Sequence, residues 1–154
     1  MLVGVGVPMV RLLIDHLFFA GASLERIREV GSAPLTTRLL IVPYSGVMEE
    51  VIYRLFLATL VAWMGYLAIR AFVFEAKARQ VAQWLGILVA AFFFGLAHVG
   101  NVPNVAHPIV RAVTVNGILG IALGWIYWQR GLEASILTHM VGIIVLYICV
   151  PLVM

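Results

Sequence analysis

Five apolar runs, separated by short polar links, follow one another along the chain. They cover residues 2–22, 39–69, 81–98, 109–128 and 134–154. Four of them match the ~20 residues that a helix needs to cross the hydrocarbon core of a bilayer. The second run would be about 46 Å long at 1.5 Å per residue, so it must tilt, split or kink at Pro43. The pattern predicts an all-α, polytopic transmembrane bundle of about five membrane segments.

The polar links divide the chain into two parts. Residues 1–38 form an N-terminal apolar segment followed by a polar surface link, for which we expect a short amphipathic helix, and residues 39–154 form the membrane-embedded core. Within the first run, Asp15 lies four residues after Arg11, so a helix would pair them. Residues 70–80 are predicted to form a charged loop, and residues 100–108 a loop or re-entrant turn.

Composition agrees with lipid as the main solvent. Hydrophobic residues make up 64% of the chain and charged residues 11%, with a mean hydropathy of +1.09. Soluble proteins carry ~25% charged residues, which excludes an ordinary water-facing surface. The net charge of +3 arises from basic residues in the links, where they set topology and contact lipid head groups, so we expect no nucleic-acid partner.

Glycines mark one face of the fourth run. Gly117, Gly120 and Gly124 are spaced at one helical turn or two. Small residues in this pattern allow the backbone of a neighbouring helix to approach closely. We therefore expect this face to pack against another membrane helix.

The candidate chemistry begins with Glu49-Glu50-Val-Ile-Tyr-Arg54 in the second run. An ionised side chain at the centre of a membrane helix costs about 2.5–3.5 kcal/mol. Glu50 and Arg54 share a helix face and can pair, which offsets much of this cost. Glu49 points elsewhere without an obvious partner, and such a carboxylate can accept a proton from water as a general base. The alternative is that both carboxylates lie at the membrane interface, solvated by water.

Two histidines bring imidazoles to other runs. His98 closes the third run and His139 lies well inside the fifth. If Glu49, His98 and His139 surround one cavity, the groups that activate water are present. Their structural alternatives are an interface cap for His98 and an interhelical hydrogen bond for His139. Asn116, in the fourth run, could donate to a developing oxyanion or hold helices together.

Together these motifs resemble a known family. The order Glu49-Glu50-x-x-x-Arg54, Phe94-x-x-x-His98, a Gly-rich helix and an in-membrane His139 is similar to the CPBP family. This family comprises the type II CAAX prenyl endopeptidases and the bacteriocin-processing membrane proteases, also called the Abi family. The resemblance implies a helical membrane bundle with a cavity at membrane depth.

The resemblance also implies roles for the residues. Glu49 and His98 would activate the attacking water, Glu50 and Arg54 would support the site, and His139 would stabilise the oxyanion. Glu49, His98 and His139 could also bind zinc, because two histidines and a carboxylate are a known catalytic ligand set. We expect the metal-free mechanism slightly more than the zinc-dependent one.

One position departs from the family pattern. Ile143 stands where the family usually has Asn or Asp, four residues after the last histidine. An apolar side chain cannot donate a hydrogen bond, and loss of one oxyanion donor costs on the order of 10²–10³ in rate. Either Asn116 or a backbone group replaces it, or the chain is a non-catalytic scaffold or regulator. A proton-relay transporter is a third reading, but the sequence has no internal repeat to support it.

The function implied is that of an intramembrane endopeptidase. It would hydrolyse a peptide bond of a membrane-associated or lipidated peptide, either prenylated or a bacteriocin leader. Its expected location is the bacterial inner membrane, as a multi-pass protein.

Overall fold

The protein is almost entirely helical. The computed structural model describes residues 2–19, 21–101 and 105–152, and no strand occurs in these ranges. We label the helices α1 (Leu2–Phe18), α2 (Ala22–Gly31), α3 (Leu35–Ile69), α4 (Glu75–Ala97), α5 (Pro108–Arg130) and α6 (Leu132–Leu152). The predicted all-α class is confirmed.

Four of these helices are long and apolar enough to cross a membrane, namely α3, α4, α5 and α6. The remaining apolar run forms α1, which has 17 residues and is about 26 Å long. Large apolar side chains such as Leu40 and Trp63 are exposed on the outer surface of α3. This arrangement suits a bundle that is solvated by lipid, and it confirms the predicted helical membrane bundle.

Helix α3 neither splits nor changes type at Pro43. Its first part, Leu35–Glu50, is α-helical through the proline, and the chain then widens into a π-helix over Val51–Ala58. The Thr59 hydroxyl bonds the Arg54 carbonyl at 3.1 Å within this wider turn. Short π-helical turns are rare and occur often at functional sites. The irregularity therefore begins directly after the Glu49-Glu50 pair, at a place where the residue pattern does not indicate it.

Two link boundaries differ from their predictions. The charged loop at 70–80 ends earlier than predicted, because α4 begins at Glu75. Glu75 suits the positive N-terminal end of the helix and pairs with Arg79 one turn later. The link at 100–108 contains residues 102–104, which lie outside the described residues. Between α5 and α6 the turn centres on Gly131, whose φ of +90° favours glycine.

The glycine face of α5 packs on α4, as predicted. A Cβ atom at Gly120 would lie 2.9 Å from Ala91, and one at Gly124 would lie 3.1 Å from a methyl carbon of Ile87. Real Cβ atoms rarely come so close, so these positions require glycine for the observed helix separation. The contact fixes α5 beside α4 and places the inner faces of both helices around one cavity.

The predicted Arg11–Asp15 pair is wrong. Asp15 instead accepts from Arg111 Nε of α5 at 2.7 Å and from the backbone N–H of Ser23 at 2.5 Å. Arg111 also donates to the Ser23 hydroxyl at 2.7 Å, and all three residues are buried. A buried carboxylate needs a counter-ion and hydrogen-bond donors, and Arg111 and the Ser23 backbone supply them here. Arg111 is therefore an internal ion-pair partner that attaches α1 and the start of α2 to α5.

We predict strong energetic coupling between Asp15 and Arg111. Asp15→Leu or Arg111→Leu alone leaves a buried charge without its partner and should destabilise the protein by about 3 kcal/mol or more. The double substitution should cost clearly less than the sum. Unfolding in mixed micelles with increasing dodecyl sulfate measures all three. Simple additivity of the two single effects would contradict the buried pair.

Candidate active site

Glu50 is a fully buried carboxylate of the bundle core. Its side chain has no exposed surface. Oε1 accepts from His139 Nδ1 at 2.9 Å, and Oε2 accepts from the Ser135 hydroxyl at 2.5 Å. Arg54 Nε lies 3.3 Å from Oε2, which confirms the predicted pairing of these two residues. Three donors thus replace the water that this carboxylate loses on burial.

Arg54 extends this cluster to two further helices. It is 1% exposed, and its Nη2 donates to the Gly120 carbonyl of α5 at 3.3 Å. Its guanidinium carbon lies 4.7 Å from the ring centroid of Phe94 on α4, within the range of a cation–π contact. Glu50 and Arg54 together therefore hold α3 against α4, α5 and α6.

Ser135 is a site residue whose role the sequence reading missed. Ser135 is fully buried, and its hydroxyl donates to the Glu50 carboxylate. The Leu123 carbonyl is the other oxygen near this hydroxyl, at 3.0 Å. Ser135 precedes His139 by one helical turn, so both lie on one face of α6. This four-residue spacing could have indicated that Ser135 contacts the same groups as His139, because polar side chains on one face of a helix share neighbours.

Glu49 points into a different space from Glu50. It retains 24% side-chain exposure, but its Oε2 is buried and has no hydrogen-bond partner among the described residues. This oxygen lies 3.9 Å from His98 Nε2 and 3.7 Å from His139 Nε2. The structure thus brings together the three predicted groups from α3, the end of α4 and α6.

Hydrogen bonds define which nitrogen of each imidazole carries a proton. His98 Nδ1 lies 2.7 Å from the Phe94 carbonyl, which can only accept, so Nδ1 is the donor. His139 Nδ1 donates in the same way to the Glu50 carboxylate. In both neutral rings, Nε2 then presents a lone pair toward Glu49 Oε2. Three acceptor atoms converge, which is an arrangement suited to a water molecule, a shared proton or a cation.

Phe94 forms the wall behind the two histidines. It is 1% exposed, and its ring centroid lies 4.6 Å from that of His98 and 6.0 Å from that of His139. Tyr53 packs edge-on against its other side at 5.3 Å. The Phe94-x-x-x-His98 pattern thus contributes two groups to the site: the histidine, and a phenyl ring that packs against both imidazoles.

A cavity of about 130 Å³ opens in front of these groups. At ~30 Å³ per molecule it has space for about four waters. Its polar wall contains Glu49, His98, His139 and Asn116, and two arginines, Arg11 and Arg26, also line it. Because the Glu49 side chain keeps 24% exposure and lines this cavity, water can reach its carboxylate.

Asn116 and Ile143 both line this cavity. Asn116 is 2% exposed, and its Nδ2 donates to the Ala112 carbonyl of its own helix at 3.2 Å. That bond uses one of the two amide N–H groups. Ile143 is buried one turn after His139, so the departure from the family pattern faces the reaction space.

Glu49, His98 and His139 are chemically suited to zinc, since the unpartnered Oε2 and two imidazole lone pairs face one another. Within residues 2–19, 21–101 and 105–152, however, no group of three or more His, Cys, Asp or Glu side chains is arranged to hold a metal ion.

The site lies within a region that matches a family model. The model, described as Type II CAAX prenyl endopeptidase Rce1-like, matches residues 31–145, about three quarters of the chain. The chain belongs to this family. The match confirms the resemblance to the CPBP intramembrane proteases, which act on peptide and protein substrates in membranes. No curated protein and no solved structure is significantly similar to the chain.

We predict that the Glu50 cluster is a main source of stability. Glu50→Gln removes the ion pair with Arg54 and should destabilise the protein by about 3 kcal/mol. Ser135→Ala removes one donor to a charged group and should cost about 1.5–3 kcal/mol. Thr138→Ala is the matched control on α6, because the Thr138 hydroxyl donates to the Ala134 carbonyl of its own helix. Detergent unfolding curves in which the Ser135 and Thr138 variants are equally stable would contradict this role.

Proposed function

We propose that this member of the family is an active intramembrane endopeptidase in which Glu49 and His98 activate the attacking water. The observation that carries the proposal is the Glu49 Oε2 atom, buried without a partner between two imidazole Nε2 atoms. A water placed there can donate one hydrogen to Glu49 and the other to His98. Its oxygen lone pair is then free to attack a peptide carbonyl.

The reaction needs only protein groups and water. As the water oxygen bonds to the carbonyl carbon, its proton passes to Glu49. The tetrahedral intermediate then collapses, the C–N bond breaks, and Glu49 returns the proton to the leaving amine. This sequence consumes one water and restores the carboxylate.

His139 is proposed to stabilise the oxyanion. In the resting site this Nε2 holds a lone pair, so the ring must first take up a proton from solvent, which makes it an imidazolium that can donate to the oxyanion. The Glu50 carboxylate, 2.9 Å from Nδ1, is positioned to be the counter-ion of this imidazolium, the place that a buried acid has in hydrolase triads. Glu50 and Arg54 are therefore positioning residues, which act through His139 and the helix packing.

Asn116 is the candidate for the second oxyanion donor. It lines the cavity, and an amide hydrogen beyond the bond to Ala112 can point toward the substrate. This would compensate for the apolar side chain of Ile143 at the position where the family usually has a donor.

The substrate proposed is a peptide segment held at the membrane, either prenylated or part of a bacteriocin leader, in a bacterial inner membrane. The cavity opens among helices whose outer faces suit lipid, which supports a membrane-associated substrate. The zinc-dependent alternative uses Glu49, His98 and His139 as ligands, and elemental analysis of purified active protein distinguishes the two mechanisms.

A non-catalytic scaffold or regulator is the second candidate. Ile143 favours it, because this side chain removes a donor from the cavity wall. Such a protein would retain the buried Glu50 cluster for stability but would have no need of an accessible Glu49. A peptidase should lose turnover when Glu49 is replaced, whereas a scaffold should have no turnover to lose.

We predict that Glu49→Gln and His98→Ala each lower peptide cleavage by about 10²–10⁴-fold, the usual contribution of a general base. His139→Ala should lower it by about 10²–10³-fold through the oxyanion. Cleavage of a peptide library by the detergent-purified protein measures these effects. His107→Ala is the control, because this exposed histidine precedes α5. Equal turnover in all variants would remove the peptidase assignment, and absence of turnover in the unmodified chain would support the scaffold.

We also predict opposite effects at the two oxyanion positions. Asn116→Ala removes the proposed donor and should reduce the turnover number by about 10²-fold. Ile143→Asn places an amide one turn after His139 and should raise turnover. The rates are compared at saturating substrate, with folding checked by gel filtration. If neither substitution changes the turnover number, the oxyanion assignment is wrong.

A further inference from the structure

A second charged group enters the cavity from outside the family-matched region. Arg11 lies on α1 and lines the same cavity as Glu49 and His98. Its Nε is buried and has no hydrogen-bond partner among the described residues. The matched region begins at residue 31, so Arg11 belongs to the part of this chain that precedes the family core.

Among residues 2–19, 21–101 and 105–152, no carboxylate pairs with Arg11, and the packing of α1 gives the reason. Asp15, one turn later on α1, would ordinarily neutralise it, but this carboxylate is held by Arg111 and the backbone of Ser23. Glu49 does not replace it, because no ion pair joins the two side chains and Glu49 Oε2 faces the histidines. A buried guanidinium nitrogen without a hydrogen-bond partner is unfavourable, so an anion that accepts from it would be stabilised. Its positive charge is therefore available to a ligand.

Arg26 adds a second guanidinium to the same wall. It lies on α2 and lines the cavity, while its Nη1 donates to Glu29 at 2.7 Å. That pair is largely open to solvent, with Glu29 65% exposed, so it holds Arg26 only weakly. The end of α2 is fixed in place, since a Cβ at Gly31 would lie 2.8 Å from Pro151 of α6.

We propose that Arg11, assisted by Arg26, forms a carboxylate-binding subsite, so that the peptide cleaved carries a carboxylate close to its scissile bond. The subsite rests on the proposed peptidase function, because it defines which peptides reach Glu49. A guanidinium binds a carboxylate through two parallel N–H···O bonds, which orients the ligand as well as attracting it. The carboxylate is either the chain terminus or an Asp or Glu side chain.

The position of Arg11 favours a substrate group over a lipid phosphate. A residue that binds lipid head groups faces the surrounding bilayer, whereas Arg11 shares an internal cavity with His98 and Asn116. An anion bound by Arg11 therefore occupies the same cavity as the reacting groups. The arginine therefore selects what is cleaved, and it is not part of the hydrolytic step.

The test measures binding in a protein that cannot cleave. Three octapeptide libraries are applied to the Glu49→Gln protein in detergent without phospholipid: one with a free C-terminal carboxylate, one amidated, and one amidated with a fixed Asp or Glu. We expect retention of at least one carboxylate-bearing library about tenfold above the plain amidated one. The library that is retained identifies the source of the carboxylate.

Substitutions assign the effect to Arg11. Adding Arg11→Gln should abolish the preference, and Arg11→Lys should restore part of it, because the charge returns without the planar fork. Arg28→Gln is the matched control, an arginine that α2 exposes away from the cavity. Unfolding curves check that each variant folds.

Equal retention of all libraries, or a preference that persists in Arg11→Gln, would overturn the subsite. A preference lost equally in Arg28→Gln would also overturn it, because net charge would then suffice. The readout is independent of hydrolysis. Failure of the peptidase proposal would appear as absent cleavage, and failure of the subsite as absent discrimination.

Discussion

The structure depends on one buried carboxylate. Glu50 has no contact with solvent, so its charge persists only because Arg54, Ser135 and His139 surround it. These donors come from both α3 and α6, and Arg54 continues to the Gly120 carbonyl of α5. Removing any of them would leave an unsatisfied charge in an apolar interior. The buried Glu50 carboxylate is stable only where donors from α3 and α6 meet, so it holds these helices in one arrangement.

Two adjacent glutamates consequently have different tasks. The nearby donors bind Glu50. Glu49 Oε2 has no hydrogen-bond donor in the part of the chain that the structure describes, and it faces imidazole nitrogens from His98 after α4 and His139 on α6. The same Glu50 that stabilises the fold also orients His139 through Nδ1. A similar division occurs at the N-terminal helices, where Asp15 is committed to Arg111 and Arg11 is left for the cavity. In both cases a structural ion pair determines which neighbouring charge remains free.

Much of this could be predicted from sequence, and the failures have physical reasons. Membrane helices follow from apolar run length, and the Glu50–Arg54 pair follows from helical spacing, since both are local properties. The Asp15–Arg111 pair joins residues far apart in the chain, and local spacing suggested Arg11 instead. The π-helical turn and the Ser135 contact depend on how α3 meets α6. Tertiary contacts of this kind leave little trace in the pattern of one sequence.

In the resting site, two Nε2 lone pairs face the Glu49 carboxylate because both Nδ1 atoms carry protons. Nitrogen-15 NMR of ring-labelled histidine reports this directly, and His16→Gln with His107→Gln removes the signals of the two histidines outside the cavity. We predict a protonated Nδ1 in both His98 and His139, with the His139 signal altered by Glu50→Gln. A bare Nδ1 on either ring, with its proton on Nε2, would contradict the arrangement on which water activation depends.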